Sequence, residues 1–109
     1  MADRPIGFVT VTVLHAVATG YQYGFDVIDV TGLPSGTVYP ALGRLERDGL
    51  VQSAWEDPAL ALREKRPPRR YYHLTREGAR ALDEALRRFR ALKPVKVAAG
   101  TPASSRSRG

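Results

Sequence analysis

Between Ser35 and Val51 the chain reads SGTVYPALGRLERDGLV, and this stretch restricts the possible folds more than any other. Val38, Leu42 and Leu45 recur at helical spacing and close one apolar face. Ser35, Thr37, Tyr39, Pro40, Gly43, Arg44 and Arg47 make up the opposite face, where small, hydroxyl-bearing and cationic residues suit close approach to a polyanion. Pro40 has no N–H to donate, so the helix either begins near it or starts at Ser35 with a looser first turn. Asp48-Gly49 ends the helix, with glycine just past the last periodic residue.

The flanking segments complete a pattern. Upstream, the short amphipathic FDVIDV (Phe25 to Val30) and the punctuation TGLPSG (Thr31 to Gly36) precede the longer helix, which is the order of a helix-turn-helix. The first apolar segment, IGFVTVTVLHAVA (Ile6 to Ala18), carries two periods. Phe8 to Val13 alternates as a strand would, while Ile6, Val9, Val13 and Val17 form a helical stripe with Pro5 suited to a first turn. A helix is expected there because a helix-turn-helix follows it, and TGYQYG (Thr19 to Gly24) reads as the turn between. The segment superficially matches a signal peptide, ending in Ala16-Val17-Ala18 after Arg4, but Asp3 cancels the charge and polar residues interrupt the run. It is too short to span a bilayer, which takes about 20 residues.

Downstream, LVQSAW (Leu50 to Trp55) and RYYHLT (Arg70 to Thr75) are rich in strand formers. The connection from Glu56 to Arg69 is too long for a tight turn and carries Arg63, Lys65, Arg66 and Arg69. The expected fold is therefore α+β, a winged helix-turn-helix whose hairpin has a basic tip. Thr75 then suits the N-cap of a last helix from Arg76 to about Leu92, with Glu77 in its first turn. Its apolar stripe is Ala79, Leu82, Ala85, Leu86, Phe89 and Leu92, and the pairs Asp83/Arg87 and Glu84/Arg88 suit a solvated face. The domain is expected to span residues 1–93, and residues 94–109, rich in Gly, Ser, Pro and Arg, to form a disordered basic tail.

A chain of 109 residues makes one domain able to bury a core without metal or crosslink. It has no cysteine, which excludes disulfides and thiolate metal sites. His15 and His73 have no second ligand at metal spacing, and Gly32 and Gly36 do not make a phosphate-binding loop, so neither a catalytic site, a metal nor a cofactor is expected. The net charge of +6 favours a nucleic-acid or anionic-membrane partner over the average domain and alone settles neither. Ser35, Thr37 and Tyr39 offer short donors near the helix start, and Arg44 or Arg47 can reach a phosphate or a guanine edge. On the wing, Lys65, Arg66, Arg69 and Arg70 flank Pro67-Pro68, which stiffens the tip. The bland alternative has Ser35 only capping, Tyr39 only packing, and Glu46 and Asp48 balancing arginines in solvent.

These residues resemble the PadR-like family of transcriptional regulators. The likeness runs from about Ile6 to Leu92 through Gly24-Phe25-Asp26-Val27, SGTVYPALGRLERDGLV, SAWED (Ser53 to Asp57) and RPPRRYYHLTREG (Arg66 to Gly78). The resemblance implies a cytoplasmic bacterial regulator, usually a repressor, that binds a palindromic operator as a homodimer through the helix from Ser35 and the wing. It implies that the last helix, with help from the first, forms the dimer interface, for which Leu82, Leu86, Phe89 and Leu92 are available although that stripe could equally pack within the monomer, and that a small aromatic effector can release the DNA. The chain departs from the family where Phe25 stands for tyrosine, where Lys65 stands for a glycine before Arg-Pro, in the short TGLPSG link, and in a last helix without tryptophan. The alternative function is a winged-helix module for protein contact, without sequence preference on DNA.

Overall fold

The computed structural model describes residues 6–91. The expected tail at 94–109 lies outside the described residues.

The first apolar segment is the helix α1, Phe8–Ala18. Its β-branched residues are poor helix formers, but Val11, Val13, Leu14, Ala16 and Val17 are all buried, and burial outweighs propensity. The Thr12 hydroxyl donates to the Phe8 carbonyl one turn back, so a strand-favouring residue keeps its polar group inside the helix. Burial is wider than the expected stripe because α1 touches most of the elements that follow. Val9, assigned to that stripe, is 39% exposed.

Helix α2, Gly24–Thr31, ends at Gly32, whose φ of 74° is the left-handed conformation that glycine adopts most readily. Helix α3, Ser35–Arg47, runs through Pro40, with Pro34 rather than Ser35 at its N-cap. The bond that Pro40 cannot make would end on the Gly36 carbonyl, and Gly36 is exposed, so water can replace it. The buried face of α3 is Val38, Ala41, Leu42 and Leu45.

Strand β1, Val51–Trp55, pairs antiparallel with β2, Arg70–Leu74, in the register Val51 to Leu74 and Trp55 to Arg70. Strand β2 has a neighbour on its other side too. Tyr23 forms a bridge with Tyr71, and the Tyr72 N–H donates to the Gln22 carbonyl at 2.8 Å. The connection from Glu56 to Arg69 contains an additional helix, α4, Pro58–Arg63. Asp57 caps it by accepting from the Ala59 N–H at 2.9 Å, and proline opens the helix, where its missing N–H costs nothing. At its far end Lys65 has φ 58°. The Lys65 N–H donates to Leu62 and the Arg66 N–H to Ala61, which closes the helix in a Schellman motif on a residue other than glycine.

The last helix, α5, Arg76–Ala91, starts as expected: Thr75 accepts from the Gly78 N–H at 2.9 Å and donates to the Gly49 carbonyl at 2.7 Å. Any side chain at Gly78 would collide with the Leu50 carbonyl. Leu82 and Ala85 join the core formed by α1, α3 and Val51, and Leu86 and Phe89 pack against it half-buried. Asp83 pairs with Arg87 at 3.0 Å. Glu84 approaches Arg87 at 3.9 Å instead of Arg88, which donates to the Ile6 carbonyl at 3.1 Å.

Candidate nucleic-acid interface

Because α3 buries Val38, Ala41, Leu42 and Leu45, its outer side is Ser35, Gly36, Tyr39, Pro40, Gly43 and Arg47, all exposed. Ser35 is the first helical residue and its side chain caps nothing, which leaves the hydroxyl outward. Thr37 is half-buried on one flank. Arg44, on the same flank, donates to the Thr10 hydroxyl of α1 at 3.2 Å. Arg47 is exposed in the last turn and pairs with no acidic group among the described residues. Tyr39 is 48% exposed, and its ring lies against Gly24 so closely that a side chain there would displace it. The glycine of the Gly24-Phe25-Asp26-Val27 motif thus seats a tyrosine of α3 on the start of α2.

The hairpin is tied to α3 by Glu46, which accepts from the Ser53 hydroxyl at 2.6 Å and lies 3.3 Å from Arg70. Arg70 also donates to Ser53 at 2.8 Å and lies over the Trp55 ring at 5.6 Å. The loop end of the hairpin is tied by Glu56, only 5% exposed. Its carboxylate accepts from Arg66 Nη1 at 2.6 Å and Nη2 at 2.8 Å, and from the Arg69 N–H at 3.1 Å, while its own N–H donates to the Arg69 carbonyl at 2.8 Å. The hydrogen bond from Arg66 holds the carboxyl at about 2 despite the opposing effect of burial. Burial raises the Tyr72 phenol.

The nine residues expected to reach DNA therefore divide. Ser35, Tyr39, Arg47, Lys65 and Arg69 are exposed and Thr37 is half-buried, whereas Arg44, Arg66 and Arg70 bond other parts of the chain, Arg44 and Arg70 while still exposed. The Arg69 guanidinium stacks over Tyr23 at 4.3 Å and approaches Glu56 only at 3.9 Å. It borders a cleft of about 280 Å³ between α2, α3 and β2, walled by Tyr23, Phe25, Tyr39 and Tyr72. Sequence reasoning missed the roles of Glu56 and Ser53, and gave Glu46 only as balancing arginines in solvent, where it in fact ties Ser53 and Arg70 to α3. The available signal was an acidic residue at the strand end, opposite a run of arginines.

Of the stripe expected at a dimer contact, Leu82 belongs to this chain's own core. Phe89 meets Phe8 edge to face at 5.7 Å, and Leu92 lies outside the described residues. Among the described residues no cluster of His, Asp or Glu is arranged to hold a metal, and no helix is long and apolar enough to cross a membrane.

The chain matches the model of the transcriptional regulator PadR-like family over residues 13–84. Among solved structures it is similar to a PadR-like transcription factor from Bacteroides fragilis, at 27% identity and TM-score 0.66, covering 77% of this chain and 82% of that one. A PadR family regulator from Clostridium difficile is 25% identical at TM-score 0.65, with 77% of this chain and 88% of that one covered. One from Eggerthella lenta is 28% identical at TM-score 0.63, over 75% and 71%. A comparison with curated proteins finds no match.

Proposed function

The chain belongs to the PadR-like family of transcriptional regulators, and from that membership we propose that it is a homodimeric repressor of a palindromic operator. It is a DNA-binding regulator and not an enzyme. The observation that carries the finer reading is the shared opening of α3 and the wing: Tyr39 and Arg69 border the same cleft, so a duplex lying along α3 meets the wing as well. Ser35, Thr37, Tyr39 and Arg47 approach the groove, and Lys65 and Arg69 approach the backbone. Gly36, Pro40 and Gly43 leave the helix bare enough for its own backbone to come near the duplex.

Dimerisation is proposed through α1 and α5, where Phe8 is 70% exposed beside Phe89. A regulator of this kind acts where bacterial DNA is, in the cytoplasm. Release by a small aromatic molecule belongs to the proposal as a family property, without an aromatic sandwich on α5, which has no tryptophan.

The test is binding of purified protein to the DNA upstream of its own gene and to scrambled duplex of equal length, across a salt titration. A protected site with two-fold symmetry supports the reading. Equal, salt-labile binding to both duplexes would replace it with a protein-contact module.

A further inference from the structure

We propose that Glu56 is the positioning residue of the wing: it withdraws Arg66 from the DNA and fixes Arg69 as the residue that delivers charge to a backbone phosphate. This rests on the DNA-binding reading above and assigns roles within it.

The first ground is donor accounting. A guanidinium has five N–H donors on three nitrogens. In Arg66, Nη1 and Nη2 meet Glu56, Nε meets Glu64 at 3.3 Å, and Nη1 also meets the Pro67 carbonyl at 3.3 Å. Every nitrogen is engaged inside the wing, and the side chain is 23% exposed. A phosphate would have to displace a bidentate bond from a buried carboxylate.

The second ground is what Glu56 does to Arg69. Two hydrogen bonds, the Glu56 N–H to the Arg69 carbonyl and the Arg69 N–H to the Glu56 carboxylate, close the connection just beyond the last strand pair, Trp55 and Arg70. The Arg69 side chain leaves this clamp over Tyr23, beside the exposed Tyr39 of α3, and is 43% exposed. Its attachment is thus rigid while its charge still faces solvent. Arg63 and Lys65, also exposed, lie beyond the clamp, in α4 and its C-terminal turn.

The third ground is sign. An acidic group close to a phosphate weakens binding by repulsion, so removal of Glu56 should tighten DNA binding if its charge mattered only through space. The positioning role reverses that sign.

The experiment uses the full chain with Glu56→Gln, Arg66→Gln and Arg69→Gln, each measured in two ways. The first is affinity for the operator duplex over a salt series. The second is iodide quenching of Trp55, the sole tryptophan, which is 64% exposed and adjacent to Glu56, in the absence of DNA.

Arg69→Gln is expected to flatten the slope of log K against log salt by about 0.9, the loss of one phosphate contact, and to leave Trp55 unchanged. Glu56→Gln and Arg66→Gln are expected to weaken binding about tenfold with the slope intact, to shift Trp55 quenching alike, and to do no more together than singly.

Tighter binding by Glu56→Gln, or a slope loss of about 0.9 in Arg66→Gln with Trp55 unmoved, would overturn the assignment and return Arg66 to the contacting set. Absence of operator binding by the unaltered protein would instead remove the DNA reading. The quenching arm would still decide whether Glu56 holds the wing.

Discussion

Single residues carry two of this fold's local conflicts. Lys65 holds a left-handed φ of 58°, which a side chain disfavours by about 1 kcal/mol or more. Lys65→Gly should therefore raise stability by about 0.5–1 kcal/mol in urea denaturation, less than the full strain because glycine loses more freedom on folding. Its effect on DNA affinity reads the lysine's charge separately. Gly78 is the opposite case, since any Cβ there meets the rigid Leu50 carbonyl. Gly78→Ala should destabilise by about 2 kcal/mol, measured as a shift in the denaturation midpoint at constant m-value. The sequence marked Lys65 as the place where the family's glycine is absent, but the role of Gly78 was illegible. The atom it avoids belongs to a residue 28 positions away.

At the scale of elements, the strands, α3 and the last helix were readable because their period, caps and β-formers agree. The first segment needed its context, since its two periods are equally good and only burial by later elements decides between them. Helix α4 was not read from the sequence although Asp57-Pro58 is a sound start signal, because at six residues it is too short to show a helical period. Thr75→Ala should cost about 1 kcal/mol or more in thermal unfolding, as it removes the cap of α5 and the bond to Gly49 together.

The wing adds a pH dependence. The Glu56 carboxyl titrates at about 2 in the folded chain against 4.5 ordinarily, so its stabilising contribution is complete above pH 4.5 and declines as pH falls toward 2. Trp55 fluorescence followed down this range should show a transition that Glu56→Gln lacks. A pair joining the two ends of the connection could not be read from composition, which presents Arg66 as one more cation in a basic run.

For the whole molecule, the number of phosphates its cations neutralise sets the salt sensitivity of the proposed binding, and the exposed apolar surface is where the proposed assembly is tested. Phe8 is 70% exposed and rests on Phe89, so Phe8→Glu should leave the monomer folded, shift sedimentation toward a single copy and abolish cooperative occupancy of a two-fold operator. The winged-helix fold that carries the candidate interface, and its basic charge, were legible in the sequence. Its division into groups that face outward and groups that brace the wing was not, because bracing depends on side chains that meet only after the hairpin closes.

The bond from the Tyr72 N–H to the Gln22 carbonyl has a consequence in time. Strand β2 completes its hydrogen bonding with a partner 50 residues earlier in the chain, and such non-local closure comes after local helix formation. During synthesis, α1, α2 and α3 leave the ribosome first and can pack on one another while the Gln22 carbonyl still faces water. The wing is thus finished after the three helices it packs against, and a nascent chain stalled before Tyr72 lacks the strand that Gln22 pairs with.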